Sequence, residues 1–327
     1  MKLLVTGCFG FIGFNFIQNL DSNFMITGLD SLESNSSRTN RNLFKDKNNF
    51  KFIQKNINNL EVKDLKNIDR VINFAAESHV DNWIFNPGIF VESNVKGVSN
   101  LLKCALNSKV QKFIHISTDE VYGSSPNKFN TENDYFNPSS PFSASKASAE
   151  LIINSFQKTF GYNCITLRPA NNYGIFQQPE KLIPFSIANL NLGKNIELYG
   201  SGLNIRHWLH VEDTTSAILH IVQNGTLGEI YNLGSDEYLT NLEVAKYILD
   251  ATKNSEDRLE FVPDRPGHDF RYAIDFTKLK NLGWKPKKIF SEEIENIVDW
   301  YLNNKSWWLT DFQTIIQNKR NKRFGES

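Results

Sequence analysis

Residues 2–13 read KLLVTGCFGFIG, and the fold turns on how that stretch is taken. A short run of branched apolar residues meets Gly7, Gly10 and Gly13 at the spacing GxxGxxG. Phe11, Ile12 and Phe14 then begin a helical pattern. A strand that turns through glycines into a helix presents main-chain N–H groups at the helix's positive end, where a pyrophosphate can approach the backbone closely. Glycines in a tight turn would be weak evidence alone. Asp30 supplies the second signal, because it closes the next strand-like run, FMITGLD (24–30). A carboxylate there accepts hydrogen bonds from the adenosine ribose and repels a 2′-phosphate, so the pattern points to NAD rather than NADP.

Further strand candidates are FKFIQ (50–54), RVINFA (70–75), KFIHIS (112–117) and NCITLRP (163–169). Helical patterns alternate with them, notably over 88–108 and 142–160. Strand and helix in alternation predict an α/β fold, a doubly wound, Rossmann-like parallel sheet. After Pro169 the order is broken by prolines, glycines and short mixed segments, which predicts a second, smaller substrate-binding domain. The expected division is 1–172 for the dinucleotide and 173–327 for the substrate. The chain is expected to return to the first sheet near 207–234, with 207–223 helical and 228–234 a strand.

Composition narrows the function classes. Lys plus Arg and Asp plus Glu both number 36, so no global field directs the chain to nucleic acid or an anionic membrane. Three dispersed cysteines, Cys8, Cys104 and Cys164, argue against a disulfide framework and against a zinc site, and a reducing cytoplasm fits. The N-terminal apolar run is too short for a signal peptide, and no transmembrane candidate stands out.

Two stretches carry chemistry. ISTDEVYG (116–123) ends the fifth strand candidate with adjacent Asp119 and Glu120, which can serve one ligand only if the chain turns there. SSPFSASKAS (139–148) sets Phe142 and Lys146 one helical turn apart. With NFAAESHVD (73–81), NNYGIFQQPEKLIP (171–184), YGSGLNIRHWLHVED (199–213) and DRPGHDFRYAID (264–275), they resemble the dTDP-glucose 4,6-dehydratases. Those enzymes form a branch of the extended short-chain dehydrogenase/reductase superfamily, and the motifs occur in the family's order over nearly the whole chain.

The resemblance implies a lyase of deoxysugar biosynthesis that oxidises a nucleotide hexose at C4, eliminates water across C5 and C6, and returns hydride to C6. It makes Asp119 the acid, Glu120 the base, Thr118 a hydrogen-bond partner near O4, and Lys146 the cation beside the position of a tyrosine. It implies that Gly7, Gly10, Phe11, Ile12, Gly13, Asp30, Ser31, Leu32, Asn56, Ile57, Ala75, Ala76, Ser78, Ser93, Lys146 and Asn172 line NAD. His79, Thr118, Asn171, Glu180, Lys181, Leu182, Tyr199, Arg206, Asn241, Arg265 and His268 would hold the nucleotide sugar. A homodimer is implied, packed through the helices around 90–107 and 142–160.

Three residues depart from the family pattern. Asn56 replaces an acidic adenine contact, His207 replaces the Asp after the phosphate-binding arginine, and Phe142 replaces the tyrosine that accepts the C4 hydroxyl proton. Loss of a single chemical group is the pattern expected of an engineered tyrosine-to-phenylalanine change. The alternatives are a catalytically silent nucleotide-sugar binding paralogue, or another NAD-dependent nucleotide-sugar epimerase or decarboxylase. Thymidine and uridine substrates are not separable at this level.

Overall fold

A computed structural model describes residues 1–44, 46–78, 86–264 and 267–323. Its strands are β1 (Lys2–Thr6), β2 (Met25–Asp30), β3 (Phe50–Gln54), β4 (Arg70–Asn73), β5 (Lys112–Ile116), β6 (Ile165–Pro169), β7 (Asn171–Tyr173), β8 (Ile196–Tyr199), β9 (Ile205–His210), β10 (Ile230–Leu233), β11 (Tyr238–Thr240) and β12 (Leu259–Val262). Seven of them form one parallel sheet in the order β3-β2-β1-β4-β5-β6-β10. The order reverses between β1 and β4, and in such sheets ligands bind at the strand carboxyl ends of that crevice. Leu3, Leu4 and Val5 are fully buried, as expected of a central strand covered on both faces.

Helices α1 (Phe11–Gln18) and α2 (Asn35–Asn42) follow β1 and β2. Next come α3 (Gly88–Phe90), a π-helical stretch Val91–Lys96, α4 (Gly97–Asn107) and α5 (Pro141–Phe160). Phe14, Phe16 and Ile17 of α1 share one core with Ile218 and Ile221 of a later helix. Leu101 and Leu102 of α4 and Ile153 of α5 fill the other face of the sheet.

A further core gathers Tyr173, Ile183, Trp208, Ile248, Phe290, Ile297 and Trp308. They come from β7, β9 and helices α6 (Leu182–Asn191), α8 (Asn241–Ala251), α10 (Phe290–Asn303) and α11 (Lys305–Arg323). Helices α7 (Val211–Asn224) and α9 (Thr277–Asn281) lie beside β9 and β10.

The expected helix over 207–223 is corrected: residues through His210 are strand, and α7 begins at Val211 with His210 as its cap. The reason is tertiary pairing. β9 is the middle of a separate sheet, antiparallel to β11 and parallel to β7, and that ladder extends the strand through WLH. The expected β10 does join the main sheet, through β6. β2, β4, β5 and β6 are each one or two residues shorter than expected.

One buried ion pair crosses these elements. Arg168 of β6 and Glu150 of α5 are 2% and 5% exposed, and Arg168 Nη2 lies 2.7 Å from Glu150 Oε2 while its Nε donates to both carboxylate oxygens at 3.1 Å. Its Nη1 donates to Tyr122 Oη at 2.6 Å, and that hydroxyl donates to Asn232 Oδ1 of β10 at 2.8 Å. Ser117 Oγ also donates to Glu150. Breaking such a pair leaves a buried charge uncompensated. Arg168→Met should therefore cost about 3–5 kcal/mol in chemical denaturation. Arg168→Met with Glu150→Leu should cost clearly less than the two single changes summed; strict additivity would contradict this coupling.

Candidate active site

The glycine loop is shaped by close approach. Gly7 has φ +63°, and a Cβ there would lie 2.8 Å from Ala75 N, while a Cβ on Gly13 would collide with the Gly7 carbonyl oxygen. Helix α1 therefore starts tight against the strand end. Gly10 gives it no side-chain cap and its first turn, with Phe11 and Ile12, has no acidic residue, so the first amides suit an anion.

Asp30 is buried at the end of β2, its Oδ2 accepting from Phe9 N at 3.1 Å and its Oδ1 from Leu32 N at 2.8 Å. Burial raises its pKa, and these two N–H groups oppose that shift. Ser31 and Leu32 continue from it, Leu32 with φ +61°. Asn56 caps a short turn, Oδ1 accepting from Asn58 N at 2.9 Å, and Ile57 behind it is buried. An amide oxygen has two lone pairs, so one acceptor site remains at Asn56.

Beyond β4, Ala75 and Ala76 run alongside the loop toward Ser78, whose carbonyl accepts from Lys181 Nζ at 2.7 Å. Asn94, fully buried, clips this segment down: its Oδ1 accepts from Glu77 N at 2.8 Å, and its Nδ2 donates to Glu77 O and to Ser145 Oγ. It lies in the π-helical stretch with Ser93, and such local widenings recur at functional sites. The sequence reading missed Asn94, because one asparagine inside a helical pattern carries no periodic signal.

The acid pair sits where β5 ends. Thr118 caps a 3₁₀ turn, Asp119–Tyr122, its Oγ1 accepting from Glu120 N at 3.3 Å. That turn breaks the strand alternation which would have sent the two carboxylates apart. Asp119 is 2% exposed and its Oδ2 has no protein partner. Burial, then the neighbouring Glu120 charge, push its pKa well above the ordinary carboxylate value, against the opposing charge of Arg206.

Helix α5 is capped by Ser140 and carries the other half. Lys146 is buried, its Nζ donating to Ile116 O at 2.6 Å, and burial lowers its pKa to about 8 despite Glu150 one turn on. Phe142 is 8% exposed, its ring centroid 6.2 Å from that of Phe90 in an edge contact.

Across the crevice, the buried Oδ1 atoms of Asn171 and Asn172 on β7 have no protein partner. Arg206 of β9 donates to the carbonyls of Ile205 at 2.9 Å and Asp269 at 3.0 Å, and lies 4.5 Å over the Tyr272 ring. His207 departs from the family pattern without touching that arrangement. It points to the other side of the strand, Nε2 2.6 Å from Ser235 O and its ring stacked on Tyr238 at 4.2 Å, and burial lowers its pKa to about 4.

Lys181 precedes Leu182 at the start of α6, with Glu180 half-buried before it. Tyr199 ends β8 and meets His268 edge-on at 6.2 Å, and His268 Nδ1 lies 2.6 Å from Asp264 Oδ1. Asn241 opens α8, its N–H donating to Asn204 O at 3.1 Å. His79 and Arg265 lie outside the described residues.

Residues 4–297 match the family model described as GDP-mannose 4,6 dehydratase. The chain is 43% identical to the low-salt glycan biosynthesis protein Agl12 of Haloferax volcanii, over 93% of this chain and 99% of that one. Among solved structures it superposes with a TM-score of 0.91 on the dTDP-glucose 4,6-dehydratase DesIV of Streptomyces venezuelae with NAD and dTDP bound, at 37% identity over 94% of this chain and 99% of that one. A UDP-glucuronic acid 4-epimerase from Bacillus cereus gives a TM-score of 0.88 at 26% identity, covering 93% and 99%. That structure is of a tyrosine-to-phenylalanine mutant in complex with UDP-4-deoxy-4-fluoro-glucuronic acid and NAD.

Asp119 gives a pH test. Its folded pKa is raised above 3.8, so above pH 3.8 the unfolded chain loses a proton that the folded chain keeps, and stability falls as pH rises toward the folded pKa. Asp119→Asn cannot ionise. Its melting temperature should gain on that of the parent between pH 4 and pH 8; an equal offset at both ends would contradict a retained proton.

Proposed function

The chain belongs to the nucleotide-sugar 4,6-dehydratase family, and from that premise we propose that it holds NAD along the glycine loop and a thymidine-diphosphate glucose against β7 and β9, with its dehydratase machinery complete except at Phe142. The observation that carries this reading is the buried Asp119, its pKa raised by burial and by the neighbouring charge, beside half-buried Glu120 at the end of β5. A 4-epimerase has no use for such a pair.

The residues suit the cofactor. The uncapped start of α1 fits a pyrophosphate, Asp30 fits the adenosine ribose, and the orphaned Asn172 Oδ1 fits a hydrogen-bond donor. When bound, NAD supplies the two-electron oxidation of sugar C4 and the matching reduction at C6. Thr118 orients the sugar at O4, and Lys146 binds the nicotinamide ribose while placing a positive charge beside position 142. Glu120 takes the C5 proton made acidic by the 4-keto group, and Asp119 gives its proton to the departing C6 hydroxyl, so that water leaves. Two adjacent carboxyls can hold opposite protonation states because burial acts harder on Asp119. Arg206, Lys181, Tyr199, Asn241 and His268 would hold the nucleoside diphosphate, the guanidinium suiting phosphate through its planar fork.

Phe142 cannot accept the C4 hydroxyl proton, so oxidation is slowed while both ligands still bind. Because one oxygen is missing from an otherwise complete set, we read the position as an introduced tyrosine-to-phenylalanine change. A phenylalanine codon at position 142 in the source genome would contradict that. Val91, in the stretch before α4, and Leu151 of α5 are exposed, which supports a homodimer through those helices. Sedimentation at about the mass of one 37.6 kDa chain would oppose it.

Phe142→Tyr should raise formation of the 4-keto-6-deoxy product from dTDP-glucose by roughly 10² to 10⁴-fold. No gain with any nucleotide-glucose would overturn the reading. In that background Glu120→Gln should leave C4 oxidation largely intact and block elimination; equal loss of both steps would contradict the role given to Glu120.

A further inference from the structure

Residues 267–275 form a strap between the two sides of the crevice. On one side it follows β9, where Ile205 N donates to Phe270 O at 2.8 Å and Tyr272 N donates to Ile205 O at 3.2 Å. On the other it meets the loop between β5 and α5, where Ser125 N donates to Arg271 O and Asn130 N to Ala273 O, both at 2.9 Å. Gly267, at φ +66°, passes so near that loop that a Cβ there would lie 3.3 Å from the Ser139 carbonyl oxygen.

Asp269 lies in this strap and bonds to the two sides with different groups. Its main-chain carbonyl accepts from Arg206 Nη2 at 3.0 Å and from Asn204 Nδ2 at 3.1 Å. Its carboxylate Oδ2 accepts from Tyr272 Oη at 2.7 Å and from Ser139 Oγ. Tyr272 is also the ring beneath the Arg206 guanidinium, and burial, then the Glu120 charge, raise its pKa well above the ordinary phenol value, so it remains a donor. Ser139 immediately precedes Ser140, the cap of α5, and Phe142 and Lys146 follow within two turns. A nucleotide sugar has a set length between its diphosphate and its C4, so the groups that meet the two ends must be held at a matching span.

We propose that Asp269 is a positioning residue that sets this span, so that a diphosphate held at Arg206 orders the first turn of α5 through the Asp269 carboxylate. The inference rests on the proposed nucleotide-sugar site and adds to it a residue that acts through its neighbours. Side chain and main chain can be tested apart. Asp269→Ala removes the carboxylate and leaves the carbonyl to which Arg206 bonds. Both hydroxyls meet the same oxygen, so Asp269→Asn can keep both through its amide oxygen. Ser139→Ala removes only the link to α5.

Hydrogen exchange of the full chain, with and without saturating dTDP, reads this coupling. In the parent, dTDP should slow exchange over residues 142–146 by about threefold or more. Asp269→Ala and Ser139→Ala should each cut that protection to below about 1.5-fold while dTDP affinity changes by less than about threefold. Asp269→Asn should retain the protection. Ser139 is exposed, so its alanine variant decides the matter should Asp269→Ala fail to fold. Protection that survives in either folded alanine variant would overturn the assignment and leave the proposed function standing, as would a parent that binds dTDP without protecting α5. In a Phe142→Tyr background, Asp269→Ala should lower kcat for dTDP-glucose about tenfold with KM within about threefold. A raised KM with kcat unchanged would mark a contribution to binding alone and overturn the positioning role. A folded chain that binds no dTDP would overturn the proposed function and this inference with it.

Discussion

The buried contact between Arg168 and Glu150 is the constraint from which the candidate site takes its shape. Glu150 is one turn from Lys146 on α5, so the pair that fixes this helix to β6 also sets how far Lys146 reaches over the end of β5. Arg168 then reaches Tyr122, the last residue of the turn that carries Asp119 and Glu120. One guanidinium thus ties the helix that carries Lys146 and the turn that carries Asp119 and Glu120 to the same strand. A hydrophobic substitute could hold the helix, but it could not hold the turn, because Tyr122 takes its position from a hydrogen bond with direction.

Charge around the crevice follows the same logic of enclosure. Burial disfavours the charged forms of both Asp119 and Lys146, and a neighbouring charge opposes each shift: Arg206 for the acid, Glu150 for the lysine. A carboxyl shifted in that direction is better suited to donate a proton. A lysine at about 8 is still mostly cationic at neutral pH, so it can attract electron density at position 142 without acting as a base. The unpartnered oxygens of Asp119, Asn171 and Asn172 all belong to residues flanking the crevice, at the ends of β5 and along β7.

The parallel sheet was legible because a central strand buried on both faces reads as a near-continuous apolar run, as in KLLVT and KFIHI, whereas β3 (FKFIQ), at the sheet edge, mixes apolar and polar residues. The 207–223 segment misled because HWLHVED has apolar residues at a spacing that suits helix or strand, and only pairing with β7 and β11 decides between them. The catalytic candidates were legible through motif, since adjacent acids before Tyr-Gly and a helix with Phe and Lys four apart are local patterns. Asn94, Arg168 and Asn40 were not. Each bonds to partners at least 17 residues away, and no spacing in the chain records such a contact.

Phe142 contributes to the fold through packing and not through hydrogen bonding by its side chain. The ring lies almost wholly buried against Phe90, where its apolar body is the contribution to packing. A tyrosine hydroxyl in the same place would need a partner, and the only one that matters to the chemistry is the substrate. Without substrate, removing that oxygen leaves no cavity and strands no buried donor, so stability has no reason to fall. Under the proposed function, the effect of phenylalanine at this position is confined to the step that needs a proton acceptor there. The contacts that shape the surrounding crevice, from Asn94 to Arg168, are made by side chains other than the ring at position 142.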